Sequence, residues 1–296
     1  MRVVVVGSGI AGAAAGYELA RAGVDVVLVD SLTPGRATSA GAGIICPWSS
    51  QVDDPDWYRI AVAGAEHYPK LLAALTADGE TEFGYRRVGS LRLVSEAGSE
   101  AALRRVAERA AKSPMAGEVE LIGAGRAREL FPPLGHDGPA IHIPGGARLD
   151  GRSVREAMLG AAVRRGARVV NGTAAIVADG AVRGVRVDDE FVGADAVIAA
   201  AGAWSPQHPR PGAARTPAVA PGLAVATLVE TRIGFRPMGP DIRPLLGTVP
   251  QVAGLVVVNG LGASGLTIGP FAGSIAARLA RQVDPGIDLA PYDPLR

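Results

Sequence analysis

Three glycines and an acidic residue near the start of the chain have the types and spacing of a nucleotide-binding site. Gly7, Gly9 and Gly12 form the pattern G-x-G-x-x-G, and Asp30 follows 18 residues after the last glycine. In this pattern the first glycine permits a tight turn, the second leaves the backbone open to a pyrophosphate, and the third lets a helix pack closely. The carboxylate of Asp30 can accept hydrogen bonds from adenosine ribose hydroxyls. The chemistry indicated is dinucleotide binding, with phosphates at the free N–H groups of a helix N-terminus.

The segments around these glycines have the pattern of a βαβ unit. An apolar, β-branched run at Val3–Val6 predicts a strand, a helix follows from Ile10 to about Ala22, and a second strand at Val24–Val29 ends on Asp30. The same stretch could pass for a secretory signal peptide, but signal peptides need neither three spaced glycines nor a following strand. We therefore expect that no targeting segment precedes the unit and that the protein is cytoplasmic.

Composition and the absence of other motifs exclude several classes of function. The 296 residues allow one or two domains, and a formal net charge of +1 gives no electrostatic case for nucleic acid or a membrane surface. No apolar run is long enough to span a bilayer. The single cysteine, Cys46, excludes an intramolecular disulfide and a cysteine-cluster metal site, and the four histidines lack a ligand spacing, so no metal site is predicted. The motifs G-x-S-x-G and G-x-x-x-x-G-K-[ST] are also missing, which argues against a hydrolase and phosphoryl transfer.

A second Gly-rich turn lies near the end of the sequence. It covers Asn259–Gly269, after a buried strand at Leu255–Val258 and before a helix that starts at Leu266 or Pro270 and runs to Arg281. This order resembles the opening strand, turn and helix, so the two turns could meet on one ligand. Other expectations are a helix at Asp56–Leu75 that Pro69 breaks or kinks, a helix at Glu100–Ala111 capped by Ser99, a hairpin of Ala174–Val177 with Ala181–Val187, and a strand at Leu223–Arg232.

Five motifs in order carry a resemblance to a known family. They are the opening G-x-G-x-x-G, Thr38-Ser39-Ala40-Gly41, Ala201-Gly202-Ala203-Trp204-Ser205, Gly234-Phe235-Arg236-Pro237 with Asp241, and the run from Gly260 to Thr267. Together they resemble the FAD-dependent amine oxidoreductases, which include D-amino acid oxidase, D-amino acid dehydrogenase, glycine oxidase and sarcosine oxidase. The resemblance implies an α/β protein with a Rossmann-like FAD-binding domain (1–50, 140–205 and 234–296) and a second, smaller, reduced α+β substrate domain (51–139 and 206–233).

The resemblance also implies which residues hold FAD. The pyrophosphate is expected on the first turn, the ribose on Asp30, and the flavin between the loop after Thr38 and the turn before the last helix, whose dipole would stabilise negative charge on the reduced ring. Sarcosine oxidases attach flavin to a cysteine late in the chain, whereas Cys46 is early, so we expect FAD to be non-covalent. The expected cofactor-binding residues are Gly7, Gly9, Ile10, Ala11, Gly12, Asp30, Thr38, Ser39, Ala40, Gly43, Ile44, Ala174, Ala201, Gly202, Trp204, Gly262, Ala263, Ser264, Gly265, Leu266 and Thr267.

By the same resemblance, Arg236 corresponds to the family's arginine for the substrate carboxylate. A guanidinium holds a carboxylate at two points and so fixes its angle as well as its position. The implied activity is oxidation of the C–N bond of a small amino acid, first of all a D-amino acid, by hydride transfer to flavin N5. The imino acid product would hydrolyse to a 2-oxo acid, and oxygen or a quinone would accept the electrons. An oligomer is possible.

The sequence departs from the family between two of these motifs. Family members usually have several substrate-domain strands between segments like Ala201–Ser205 and Gly234–Pro237, whereas only Pro206–Ile233 intervenes here, half of it Pro-rich and without a tyrosine. Either the substrate side is reduced and open, or the sequence leaves out a stretch. A flavin-binding protein without turnover therefore stays open as an alternative, as does an NAD-dependent reductase that uses the same βαβ unit.

Overall fold

The structure is a computed structural model that describes residues 1–204 and 219–296. Ser205 and the Pro-rich residues 206–218 lie outside the described residues. The helices of the described part are α1 (Ile10–Arg21), α2 (Ala37–Ala40), α3 (Pro55–Ala77), α4 (Ser99–Ala110), α5 (Ala124–Leu130), α6 (Gly151–Arg164) and α7 (Gly265–Ala280). The strands are β1 (Arg2–Val6), β2 (Asp25–Asp30), β3 (Ile44–Ile45), β4 (Arg86–Arg87), β5 (Ser90–Leu93), β6 (Glu120–Ile122), β7 (Ala140–Ile143), β8 (Ala147–Arg148), β9 (Arg168–Asn171), β10 (Ala174–Asp179), β11 (Ala181–Val187), β12 (Glu190–Gly193), β13 (Ala196–Ala199), β14 (Leu245–Thr248) and β15 (Leu255–Asn259).

A six-stranded sheet forms the centre of the fold. Its order is β14-β15-β13-β1-β2-β9, with every neighbouring pair parallel except β14 and β15. Parallel sheets are covered on both faces, which explains why β1 and β2 are nearly continuous apolar runs. Val3 and Val5 face a core built with α1 and α7, whereas Val4 faces a second core formed with the sheet β10-β11-β12. This three-layer arrangement confirms the predicted α/β, Rossmann-like fold.

Two smaller sheets stand beside this nucleotide-binding architecture. One has the order β5-β7-β6 and the other β3-β8-β4, and all of their pairs are antiparallel. The first joins β7 to strands from the predicted substrate domain, and the second connects β3, which follows the Gly-rich loop after Thr38, to β4. The domain boundaries themselves stay a prediction.

The structure corrects three predictions of local structure. Pro69 does not end its helix, because α3 continues to Ala77 and buries Tyr68, Leu71 and Leu75, which outweighs one lost backbone hydrogen bond. Ser99 does not cap α4; it is the first residue of that helix, and its hydroxyl donates to the Glu96 carbonyl instead.

The predicted strand at Leu223–Arg232 is also wrong. A 3-10 turn spans Pro221–Val225, and no strand pairing occurs from there to Arg232. Val225, Leu228 and Val229 are 94%, 81% and 88% exposed, so the apolar run has no sheet to pack on. Strand propensity depends on burial against neighbours, which this segment lacks.

The hairpin prediction is confirmed, because β10 and β11 pair antiparallel around Gly180. Within the described residues, no helix is both long enough and apolar enough to cross a membrane.

Candidate cofactor and substrate site

The first Gly-rich turn joins β1 to α1 and leaves a helix N-terminus open. Gly7 has a φ of +97°, which only glycine adopts readily, and a Cβ at Gly12 would lie 1.9 Å from the Gly7 carbonyl oxygen. A Cβ at Gly9 would meet only the Thr38 hydroxyl within 4 Å, at 3.5 Å, so Gly9 borders open space. Among the described residues no side chain caps α1 at Gly9, and the first turn of this helix holds no acidic residue. The N–H groups of Ala11 and Gly12 therefore have the arrangement that binds phosphate.

Asp30, at the end of β2, is an anchor for this turn. One carboxylate oxygen accepts from the backbone N–H of Ser8 (2.8 Å) and from its hydroxyl (2.5 Å), and the other accepts from Leu32 N–H (2.8 Å) and Arg36 Nη2 (2.5 Å). Burial raises the pKa of Asp30, but these hydrogen bonds and the charge of Arg36 outweigh it, and the pKa lies below its ordinary value. Since a carboxylate has about four acceptor positions, a ribose hydroxyl on Asp30 would share it with these donors.

A second arginine holds the same turn from α6. Arg155 donates from Nε to the Ser8 carbonyl at 2.5 Å and from Nη2 to the Ser8 hydroxyl at 2.7 Å. This contact could not be predicted from the sequence, because the two residues are separated by 147 positions. Arg155, Ser8 and Asp30 thus form one network that fixes the Gly-rich turn.

The loop after Arg36 and the C-terminal turn form the opposite wall. Thr38 is buried and accepts at Oγ1 from the Ile10 N–H at 3.0 Å, which ties α2 to the start of α1. Thr267, near the start of α7, donates from Oγ1 to the Ile44 carbonyl at 3.3 Å. In the part of the chain that the structure describes, no side chain caps α7, and the first turn of this helix contains no acidic residue. Its N-terminus can therefore stabilise negative charge on a bound group.

The segment that carries Arg236 lies between these two walls. Phe235 N–H donates to the Gly35 carbonyl at 2.9 Å, and Gly262 N–H donates to the Pro237 carbonyl at 3.0 Å. The Phe235 ring also meets the Trp204 ring edge to face, with centroids 5.5 Å apart. Arg236 itself is exposed, and no ion pair with it occurs among the described residues. The backbone on both sides of Arg236 is thus held by hydrogen bonds, and the exposed guanidinium is available to an anion.

All of these elements surround a cavity of about 650 Å³. Arg236 lines it, as do most of the residues expected to bind the cofactor: Gly7, Gly9, Ile10, Ala11, Asp30, Thr38, Ala40, Gly43, Ile44, Ala174, Ala201, Gly202, Trp204, Gly262, Ala263, Gly265, Leu266 and Thr267. Gly12, Ser39 and Ser264 do not line it. Gly12 packs on Gly7, the Ser39 carbonyl accepts from Arg232 Nη1 at 3.3 Å, and Ser264 ends the short turn before α7.

Several cavity residues were missed by the sequence analysis. Arg36 and Thr173 line the cavity near Asp30 and Ala174, and Arg232 and Asn259 line it as well. The Asn259 Oδ1 atom is buried without a hydrogen-bond partner among the described residues, so it can accept from a bound molecule. Of these four residues, only Asn259 could have been recognised from the sequence, because it begins the second Gly-rich turn.

The cavity fits a dinucleotide such as FAD. Its two ends are open helix N-termini, its wall at Gly9 has room that a side chain would fill, and a buried acceptor at Asn259 is unsatisfied. These features suit a long molecule with a central pyrophosphate and a polar ring, which is the shape of FAD.

Comparisons with known proteins agree with this geometry. The chain is 39% identical to iminodiacetate oxidase (IdaA) from Chelativorans sp. BNC1, whose crystal structure superposes with a TM-score of 0.93 over 99% of each chain. It is 36% identical to an uncharacterized oxidoreductase, YurR, of Bacillus subtilis (strain 168), over 98% of each chain. The crystal structure of glycine oxidase from Geobacillus kaustophilus shares the fold, with 22% identity and a TM-score of 0.86 over 100% of this chain and 99% of that one.

The comparisons also bear on the short segment before Arg236. The alignment with the Bacillus subtilis relative extends over 366 positions, although this chain has 296 residues, so it leaves residues of the relative without a counterpart. The sequence profile of the family described as "FAD dependent oxidoreductase" (DAO) matches in two pieces, residues 2–218 and 213–279. The two pieces overlap at residues 213–218, so the profile is divided within the segment where substrate-domain strands were expected to be missing.

FAD, bound non-covalently, is the cofactor of this group of flavoproteins, which sets aside the NAD-dependent reductase. The family profile and these relatives match most of the chain. The chain belongs to the FAD-dependent oxidoreductase (DAO) family.

Proposed function

We propose that this protein oxidises the C–N bond of a small amino acid, with D-amino acids as the first candidates, and that Arg236 binds the substrate carboxylate. The observation that carries the proposal is the position of the Arg236 segment. It is hydrogen-bonded to Gly35 on one side and to Gly262 on the other, so Arg236 stands between the two loops that border the cofactor cavity.

Bound FAD supplies an acceptor for a hydride from the carbon that bears the amine, and the resulting imino acid hydrolyses to a 2-oxo acid. The protein's own contribution is positioning. Arg236 holds the carboxylate at two points, which limits rotation of the substrate and keeps its Cα–H bond in one direction. The ring of Phe235, the residue before Arg236, packs edge to face on the Trp204 ring and so helps to hold this segment in place.

The relatives support a substrate that is an amine with a carboxylate. Iminodiacetate oxidase and glycine oxidase are each named after a compound that contains an amine and a carboxylate. An electron acceptor is required as well, and we propose oxygen or a quinone.

A flavoprotein without turnover is the second candidate. It is favoured by the exposed apolar run at Val225, Leu228 and Val229, which has no sheet to pack on among the described residues. This run belongs to the segment where substrate-domain strands were expected to be missing.

An anaerobic screen distinguishes the two. Purified protein with bound FAD is mixed with D- and L-amino acids, glycine and sarcosine, and flavin absorbance is followed. Bleaching by at least one of them supports the proposed activity. A bound flavin that stays oxidised with every compound, yet is reduced by dithionite, supports the protein without turnover.

A further inference from the structure

Two arginines of the sheet β3-β8-β4 lie in one row with a residue of the cavity wall. Ile44 is opposite Arg148, and Arg148 is opposite Arg86. Opposite residues in antiparallel strands project from the same face with Cβ atoms about 4.5–5.5 Å apart. The other face is buried at Ile45 and Ala147, whereas Ile44 is 66% exposed. The row Ile44–Arg148–Arg86 therefore forms the open face of this sheet.

Arg148 and Arg86 form a like-charge pair without a compensating acid. Like charges directly opposite each other destabilise a sheet, and neither guanidinium has an ion pair or hydrogen bond among the described residues. Asp150, two residues after Arg148, already pairs with Arg152 and Arg232. A bound anion would offset the repulsion between the two guanidinium groups.

The row is anchored to the same part of the cavity as Arg236. Ile44 lines the cavity and accepts at its carbonyl from Thr267, and the Arg236 segment accepts from Gly262. Gly262 and Thr267 belong to one turn at the start of α7. Ile44 and the Arg236 segment are therefore both bonded to the turn that is expected to face the reacting end of the cofactor. Arg148 does not line the cavity itself but lies opposite Ile44, one strand from its wall.

We propose that Arg148, assisted by Arg86, binds a second acidic group of the substrate while Arg236 binds the first. This inference rests on the proposed function and narrows it to amines that carry two carboxylates. The second carboxylate takes no part in bond making; it adds affinity and fixes the substrate at a second point.

The test compares two secondary amines that differ by one carboxylate, iminodiacetate and sarcosine. Dissociation constants are measured from the change in flavin absorbance, and reduction rates by anaerobic stopped flow, for wild type, Arg148→Gln and Arg86→Gln. Arg87→Gln is the matched control, because Arg87 lies next to Arg86 on the same strand but opposite Ala147. FAD content is expected to stay full in all variants.

We expect Arg148→Gln to weaken iminodiacetate binding about tenfold or more, as for loss of a charge-assisted hydrogen bond, and to change sarcosine binding by no more than about twofold. Arg86→Gln should give a smaller loss in the same direction, and Arg87→Gln none. Equal losses on both amines, or no loss on iminodiacetate, would overturn the inference.

Glutarate, which has two carboxylates and no amine, separates this inference from the proposed function. If glutarate binding depends on Arg148 but no amino acid reduces the flavin, the anion site is supported and the proposed function is contradicted. Flavin reduction that depends on Arg236, without any effect of Arg148 on iminodiacetate or glutarate, contradicts the anion site alone. Wild type that binds neither dicarboxylate also contradicts it.

Discussion

Replacing Arg155 with Met removes the guanidinium that holds Ser8 in the Gly-rich turn while keeping an unbranched side chain. Two hydrogen bonds are lost, to the Ser8 carbonyl and hydroxyl at 2.5 and 2.7 Å. Each bond from a charged donor is worth about 1.5–3 kcal/mol, but Arg155 is partly exposed and Ser8 keeps its contacts with Asp30. We therefore expect about 1.4 kcal/mol to be lost from FAD binding, which is about a tenfold rise in Kd.

The assay is an equilibrium titration of apoprotein with FAD, followed by quenching of flavin fluorescence, and a parallel titration with ADP. Both ligands contain the adenosine and pyrophosphate that the turn is expected to bind, so both should weaken together. Arg164→Met is the control, since Arg164 is on the same helix but pairs with Glu80 at the surface. It should leave both affinities unchanged. Circular dichroism of the apoproteins should be the same as in wild type.

An unchanged FAD affinity in Arg155→Met would refute the positioning role. A double-mutant cycle with Ser8→Ala tests whether Arg155 affects FAD binding through Ser8. If Arg155 acts through Ser8, the two losses should not add, because neighbours that share hydrogen bonds are coupled. Fully additive losses would mean that Arg155 acts in another way, such as through its charge on the phosphates.

Two further substitutions test the cofactor residues. Asp30→Ala removes an ionised acceptor worth about 1.5–3 kcal/mol, so FAD affinity should fall tenfold or more. The substitution should also lower the stability of the apoprotein, because Ser8 and Leu32 lose their acceptor. An unchanged FAD affinity in an equilibrium titration contradicts the assignment. Gly9→Val places a branched side chain in the open space beside the turn. FAD content should be lost, while the circular dichroism spectrum stays close to that of wild type. Full flavin content would show that the turn does not face the phosphates.

The parts of the site that could be predicted from the sequence are local ones. The turn Gly7–Gly12 has a motif, flanking apolar runs and an acid at the end of β2, so the Rossmann-like fold and dinucleotide binding followed from about thirty residues. The choice of FAD came from the resemblance of five motifs along the chain. Arg236 could be singled out from the other arginines because Gly234, Phe235 and Pro237 surround it in the family's order.

What the sequence could not provide depends on register and long-range contact. Arg155 reaches Ser8 across the fold, and its helix has the same pattern as any amphipathic helix. The row that contains Arg148 consists of strands of two residues, too short to show periodicity. The error at Leu223–Arg232 has the same cause, since an apolar run becomes a strand only where another strand is available to it.

The central claim, that Arg236 positions the carboxylate of an amino acid for oxidation, is tested most directly by anaerobic stopped-flow reduction of the bound flavin. Wild type, Arg236→Lys and Arg236→Ala are compared with an amino acid and with its decarboxylated amine. Lys keeps the charge but holds a carboxylate at one point, so both Kd and reduction rate should worsen for the amino acid. Ala should be worse still, with little effect on the amine and full FAD content in both variants. Equal losses on the two substrates, or an amino acid rate that is unchanged in Arg236→Ala, would contradict the claim.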